Sequence, residues 1–264
     1  MPWPHWNPRE QVRADLEYYQ KLKLSNPRAG REIDKTITRL EEELAQATEQ
    51  PLAFLGQIVL SESPSVPELG LPDQGVLLFF YEIQRQPWGF DPRTRGCAQV
   101  LYLPYAPVGN DFCTQPDSLA RVKLAPATIQ FAQEWTLPEI VEDTFSRITR
   151  GTSDYHNLLS QLYGNQSTLH RIGGNPQQIQ GDMQLEAQLV SHGIYCGNPD
   201  GYRDPRAKML EPGAKDWELL FQIDTDEDGP GFIWGDVGRL YFWIRRDDRE
   251  HRNFDEIWCG LQCY

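Results

Sequence analysis

Trp217–Tyr264 reads WELLFQIDTDEDGPGFIWGDVGRLYFWIRRDDREHRNFDEIWCGLQCY, and its pattern decides the fold class. Leu219, Phe221 and Ile223 alternate with Leu220 and Gln222, the two-residue period of a strand. Thr225–Gly231 breaks that run, because Asp, Gly and Pro supply turn conformations that a ladder lacks. Arg239–Ile244 is apolar or aromatic at nearly every step after Arg239, as in a strand covered on both faces. Ile257–Tyr264 is a further apolar run. The stretch is a strand, an acidic turn, an aromatic strand, a charged connection and a last strand.

Working outward, an echo of this unit lies between residues 52 and 103. Gln57-Ile58 matches Gln222-Ile223, and Asp73-Gln74-Gly75 matches Asp236-Val237-Gly238. Leu77, Phe79 and Phe80 match Leu240, Phe242 and Trp243; Phe90-Asp91 pairs with Phe254-Asp255, and Cys97 with Cys259. Apolar strands resemble one another readily, but the ordered recurrence points to duplication. Two copies are too few for a solenoid, so the expected architecture is α+β, with two related β-rich halves forming one body. The halves fall at about 51–135 and 165–264.

Ahead of them, residues 1–50 predict a helical hairpin. Met1–Pro8 holds three prolines, which exclude a helix there, and two tryptophans that clamp onto the body. Asn7-Pro8 marks a helix start, followed by Val12, Leu16 and Tyr19 on one stripe. A second helix from about Arg31 to Thr48 carries Ile33, Ile37, Leu40 and Leu44 at helical spacing. Between the halves, Arg121–Glu134 is read as added strand pairing, and Leu137–Arg150 and Asp154–Tyr163 as helices. Gly193–Pro212 is a Gly-, Pro- and Asp-rich loop, long enough to be a rim for whatever the domain binds.

Several of these residues carry a resemblance. His170-Arg171-Ile172-Gly173-Gly174-Asn175-Pro176, then Leu219–Asp224, Trp234-Gly235-Asp236-x-Gly238 and Leu240-Tyr241-Phe242 resemble the YwqG-like family, a bacterial domain family of unassigned function. Pro51–Tyr102 resembles its first half. The resemblance implies an α+β domain of two related halves over 51–264, and no catalytic residues to carry over. The first half departs from the pattern, with a charged helical segment where a second Gly-Gly-x-Pro element is expected.

A net charge of −13 argues against nucleic acid as a partner, since phosphate binding needs clustered Lys and Arg. The five cysteines are odd in number and form no CxxC pair, which fits reduced thiols in a cytoplasmic protein. The first residues carry no basic segment followed by an apolar stretch, and no run approaches a membrane span, so neither an export signal nor a membrane partner is expected.

The sharpest local signal for chemistry is Asp224-x-Asp226-x-Asp228-Gly229, the spacing of the first half of a calcium loop. The acid due at loop position 12 is replaced by Gly235, with Asp236 one residue late. A calcium site at Asp224, Asp226, Asp228 and Asp236 therefore competes with a hairpin whose acids are solvated or cap backbone N–H groups. The histidines are scattered, there is no Gly-x-Ser-x-Gly elbow, and Cys196 with His192 in one loop is better read as a structural thiol. Trp234, beside the glycines of the turn, together with Gly173, Gly174 and Tyr202, make up the candidate partner-contact set; a Trp folded down as a plug is the competing reading of Trp234. The expectation is a non-catalytic binding protein for a basic protein partner, with immunity-like neutralisation as one concrete version. The rival is a calcium-dependent enzyme or small-ligand-binding protein centred on the acidic loop.

Overall fold

The structure is a computed structural model and describes residues 2–26, 30–64, 66–105, 114–138, 157, 158, 161 and 168–264. The helices expected over Leu137–Arg150 and Asp154–Tyr163 fall almost wholly outside those residues, as does Cys113. In chain order the elements are β1 (His5–Trp6), α1 (Arg9–Ser25), α2 (Gly30–Gln46), β2 (Gln50–Pro51), β3 (Ala53–Val59), β4 (Val76–Tyr81) and β5 (Ala98–Leu103). There follow β6 (Arg171–Ile172), α3 (Met183–Ser191), α4 (Ala207–Leu210), β7 (Trp217–Asp224), β8 (Arg239–Arg245), α5 (Arg246–Glu250) and β9 (Ile257–Gln262). Every strand pair is antiparallel, in sheets ordered β1-β2, β3-β4-β5 and β6-β7-β8-β9, so the fold is α+β.

The two larger sheets repeat one another in detail. In each half three strands form an antiparallel meander. The first strand carries a bulge at the same place, between Phe54 and Gly56 in one half and between Leu219 and Phe221 in the other. Gln57 opposes Leu78, and Gln222 opposes Tyr241, the corresponding residue. The recurring glycine of Asp-x-Gly has a steric cause. A Cβ on Gly75 would lie 2.5 Å from the Leu103 carbonyl oxygen, and one on Gly238 would lie 2.1 Å from that of Gln262. Leu103 and Gln262 are counterparts, facing Val76 and Arg239 across the last pair of strands.

Two expectations need correction. Cys97 and Cys259 are not counterparts: Cys259 opposes Phe242 as Val100 opposes Phe79. Tyr81 and Ala98 lie 17 positions apart, against 13 for Ile244 and Ile257, so the shorter second connection brings the cysteines into false alignment. Nor do Leu219, Phe221 and Ile223 share a face. The bulge inserts one residue, so the alternation changes phase there. Leu219 packs with Trp217 and α3, whereas Leu220, Phe221 and Ile223 pack toward the other half.

The main core lies between the two sheets, where Phe79 meets Phe221 and Phe242 at ring separations of 4.7 and 5.2 Å. β8 is covered on both faces, as its composition demands: Leu240, Phe242 and Ile244 enter this core, while Tyr241 and Trp243 enter a second one against α3. Trp6 is buried at the edge of the first core, and the Trp3 indole donates to the Leu52 carbonyl at 2.8 Å, the clamp expected of the N-terminal tryptophans. The helical hairpin closes on Val12, Leu16 and Leu40. Arg85, from the connection between β4 and β5, pairs with Glu43 of α2 and Asp15 of α1 and holds the hairpin to the body.

Where the halves differ, β6 is responsible. It pairs along the outer edge of β7, and Gln222 is fully buried beneath the chain that follows it. The Gln222 side chain accepts from the Gln177 amide at 2.9 Å and donates to the Leu169 carbonyl at 2.6 Å. Among the described residues no strand pairs the corresponding edge of β3, and Gln57 is exposed. Arg121–Glu134 forms no regular strand; it runs irregularly, tied down by the Ala125 amide donating to the Pro230 carbonyl at 2.9 Å.

Candidate functional site

The site the structure builds is a groove at the seam of the two halves. One wall is the connection between β4 and β5. The Tyr81 hydroxyl donates to the Pro87 carbonyl at 2.7 Å, and the Trp88 carbonyl accepts from the Leu261 amide of β9 at 3.0 Å. Gly89 sits at φ +92°, and a Cβ there would lie 2.2 Å from the Cys259 carbonyl oxygen, so only glycine lets this connection lie against the sheet edge. The Trp258 indole donates to the Gly89 carbonyl at 2.8 Å, and the Cys196 amide to the Phe90 carbonyl at 2.8 Å. These bonds fix Trp88 and Phe90 over a space whose other wall is α3 and the loop expected as a rim.

The groove has two communicating parts. An open outer cavity of about 570 Å³ is lined by Trp88, Phe90, Cys196, Pro199, Tyr202 and Arg203, among others. A tighter inner one of about 270 Å³ shares Trp88, Phe90, Gln180 and Tyr202 and continues to Asp182, Leu185, Glu186, Leu261 and Gln262. Trp88 and Tyr202 are 38% and 41% exposed, so each leaves a large aromatic face to a ligand. The Tyr202 hydroxyl donates to Glu186 Oε2 at 3.1 Å, bridging loop and helix across the inner end. Burial pushes the Glu186 carboxyl up to about 7, with Asp182 adding in the same direction and the Tyr202 bond opposing.

The side chain of a common nucleophile type among the groove's described lining residues is the Cys196 thiol. Burial, reinforced by Glu186, pushes the Cys196 thiol up to about 12, and the thiol donates to the Ile194 carbonyl at 3.7 Å. His192 turns its Nδ1 to the Gln188 carbonyl at 2.7 Å. His170 has both nitrogens engaged: the Asp224 amide donates to Nδ1 at 3.1 Å, and Nε2 faces Asp226 Oδ2 at 3.3 Å.

The acidic loop is a hairpin connection closed by the Asp226–Phe232 bridge. Asp224 is buried and pairs with Arg239 at 3.1 Å, and it also accepts from the Leu169 and Thr225 amides. Asp226 caps the turn by accepting from the Gly229 amide at 2.9 Å. Asp228 and Asp236 are exposed. Two of the four carboxylates are thus held in local contacts and the other two are exposed, and among the described residues no group of three or more His, Cys, Asp or Glu side chains is arranged to hold a metal ion. Adding millimolar calcium is expected to leave the melting temperature nearly unchanged. A rise of several degrees that Asp226→Asn abolishes would put the calcium loop back in place.

Of the expected contact residues, Tyr202 alone lines the groove. Trp234 is fully buried, stacked on Phe232 with ring centroids 5.3 Å apart, and its indole donates to the Asp224 carbonyl at 3.2 Å. It is the plug of the competing reading and has no surface to offer. Gly173 and Gly174 have left-handed backbones, and the chain is also pressed against its neighbours there: added Cβ atoms would lie 2.2 Å from Leu69 and 2.6 Å from Thr136. Asn175 then bonds Thr136 through both its amide and its side chain, so the Gly-Gly-Asn-Pro loop is a packing element. Trp88 and Glu186 were not singled out by sequence; Trp88 lies in the first half and Glu186 in the second, and no local pattern joins them.

Fold and groove together define an α+β body with a cleft at the seam of the halves built on its two larger sheets. The chain belongs to the family described as a domain of unknown function (DUF1963), which matches it over residues 1–263. That span takes in the helical hairpin as well as both sheets. No curated protein matches the chain.

Proposed function

We propose that this chain is a non-catalytic binding protein whose groove receives a segment of a basic protein partner. The observation that carries the reading is the groove itself, where half-exposed Trp88 and Tyr202 stand beside the acids Asp182 and Glu186. Aromatic faces next to carboxylates suit lysine and arginine side chains, whose stems pack on rings while their charges meet the acids. The net charge of −13 adds long-range attraction for such a partner. Four described cysteines, all buried and unpaired, support a reducing compartment and hence the cytoplasm for this binding. We retain the YwqG-like assignment for the domain on the ordered motifs from His170 to Phe242 and on the repeated meander.

The test uses the whole protein and short peptides matched in length and apolar content but basic, neutral or acidic. Basic peptides are expected to bind best, to quench Trp88 fluorescence, and to bind at least about tenfold more weakly to Trp88→Ala and Tyr202→Ala, a loss in the range of hot-spot aromatics. Equal binding of the three sets, or binding that both variants leave intact, overturns the reading.

A further inference from the structure

We infer that the inner end of the groove is a seat for one cationic side chain, lysine or arginine, lying along Trp88 and Tyr202 with its charge against Glu186 and Asp182. This rests on the binding reading above and narrows it to a single position of the ligand.

Three observations carry it. The first is size. At about 270 Å³ the inner cavity lies just below the range of whole small-molecule sites, and suits one long side chain entering from the open outer cavity. The second is the sign of its charged groups. From α3 come Asp182 and Glu186; from the connection after β4 come only the rings of Trp88 and Phe90; from the 193–203 loop comes the Tyr202 hydroxyl, with the buried Cys196 thiol nearby. Gln262 of β9 is engaged within the protein, accepting from the Ile179 and Gln180 amides and donating to the Gly181 carbonyl. Arg203 lines the outer cavity and not the inner one, and Asp200 stands 3.9 Å from it. The inner end therefore holds two carboxyl groups and no base among its described lining residues. The third is the state of those acids. Asp182 caps α3 by accepting from the Gln184 amide, so its charge answers the helix end, whereas Glu186 is bonded, among the described residues, by the Tyr202 hydroxyl and is held partly neutral by burial. A cation placed beside Glu186 adds to the Tyr202 hydroxyl bond the opposite charge that the inner lining does not supply to its ionised form.

The sign of the pH effect follows. Burial raises the Glu186 carboxyl to about 7. A bound cation favours its ionised form, so binding is strong above that value and weakens as pH falls through it.

The probe is N-acetyl-lysine methylamide, titrated into the intact protein and followed by NMR at the Trp88 indole, with the norleucine analogue as its neutral counterpart. The lysine probe is expected to bind at least about tenfold more tightly than the norleucine one at about pH 8, and to lose roughly tenfold in affinity by about pH 5.5. Glu186→Gln, which keeps an acceptor for the Tyr202 hydroxyl, is expected to abolish both the preference and the pH dependence. Equal affinity of the two probes, a flat pH profile in the native protein, or an unchanged profile in Glu186→Gln overturns the seat. If the lysine probe fails while basic peptides still bind in a Trp88-dependent way, the seat is wrong and the binding reading stands. If neither binds, both fall.

Discussion

Trp234→Ala is expected to cost about 3–5 kcal/mol of folding stability, the range for removing a large buried aromatic. The indole is fully buried, stacked on Phe232 and set edge-on to Tyr81 at 5.8 Å. Tyr81 is the last residue of β4, the first half's central strand, and Phe232 belongs to the acidic connection of the second, so this one ring joins the halves. Its backbone amide donates to the Thr225 hydroxyl at 3.1 Å, and its indole N–H to the Asp224 carbonyl, which ties the acidic hairpin down at both ends. Alanine leaves a cavity and orphans the Asp224 carbonyl, two penalties that add. Chemical denaturation of the variant measures the loss. A change below about 1 kcal/mol means that the ring is not the plug it is taken for. Trp88→Ala, at the exposed rim of the groove, is the control and should stay within about 1 kcal/mol of the native protein.

The C-terminal unit and its echo were legible because strands that pack against each other leave an apolar pattern, and because one steric demand recurred in sequence. The glycine before β4 and before β8 faces the same carbonyl in each half, so the glycine of Asp-x-Gly survives in both. The hairpin was legible from Val12, Leu16, Ile37, Leu40 and Leu44, whose spacing states the buried stripe directly. What misled was local insertion. A bulge at Leu220 reverses the faces downstream of it, and nothing in Leu219-Leu220-Phe221 announces that three successive apolar residues include an extra one. The groove was legible only in part. The Gly193–Pro212 loop, with Tyr202, was identifiable as a rim from its length and composition. Its opposite wall comes from residues 88–90 in the other half, about a hundred positions away, and the Glu186 carboxyl takes its character from burial that only the assembled seam provides.

Gln222→Leu is expected to cost about 2–5 kcal/mol, and the equivalent Gln57→Leu no more than about 0.5 kcal/mol. The two glutamines hold the same register position next to the same bulge, so local strand propensity predicts equal effects. Their surroundings predict otherwise. Gln222 is completely buried, and its amide group satisfies two backbone groups of the segment that carries β6, the Gln177 N–H and the Leu169 carbonyl. Leucine fills a similar volume and satisfies neither, leaving a donor and an acceptor without partners, at about 1–3 kcal/mol each. Gln57 is exposed, so solvent replaces whatever its side chain binds. Unfolding both variants in denaturant gives the two differences directly. Equal losses mean that burial under the β6 segment is not what separates the halves. A large loss at Gln222 alone locates the divergence of the repeat at the edge strand, where the second half acquired a cover for its sheet that the described part of the first half lacks.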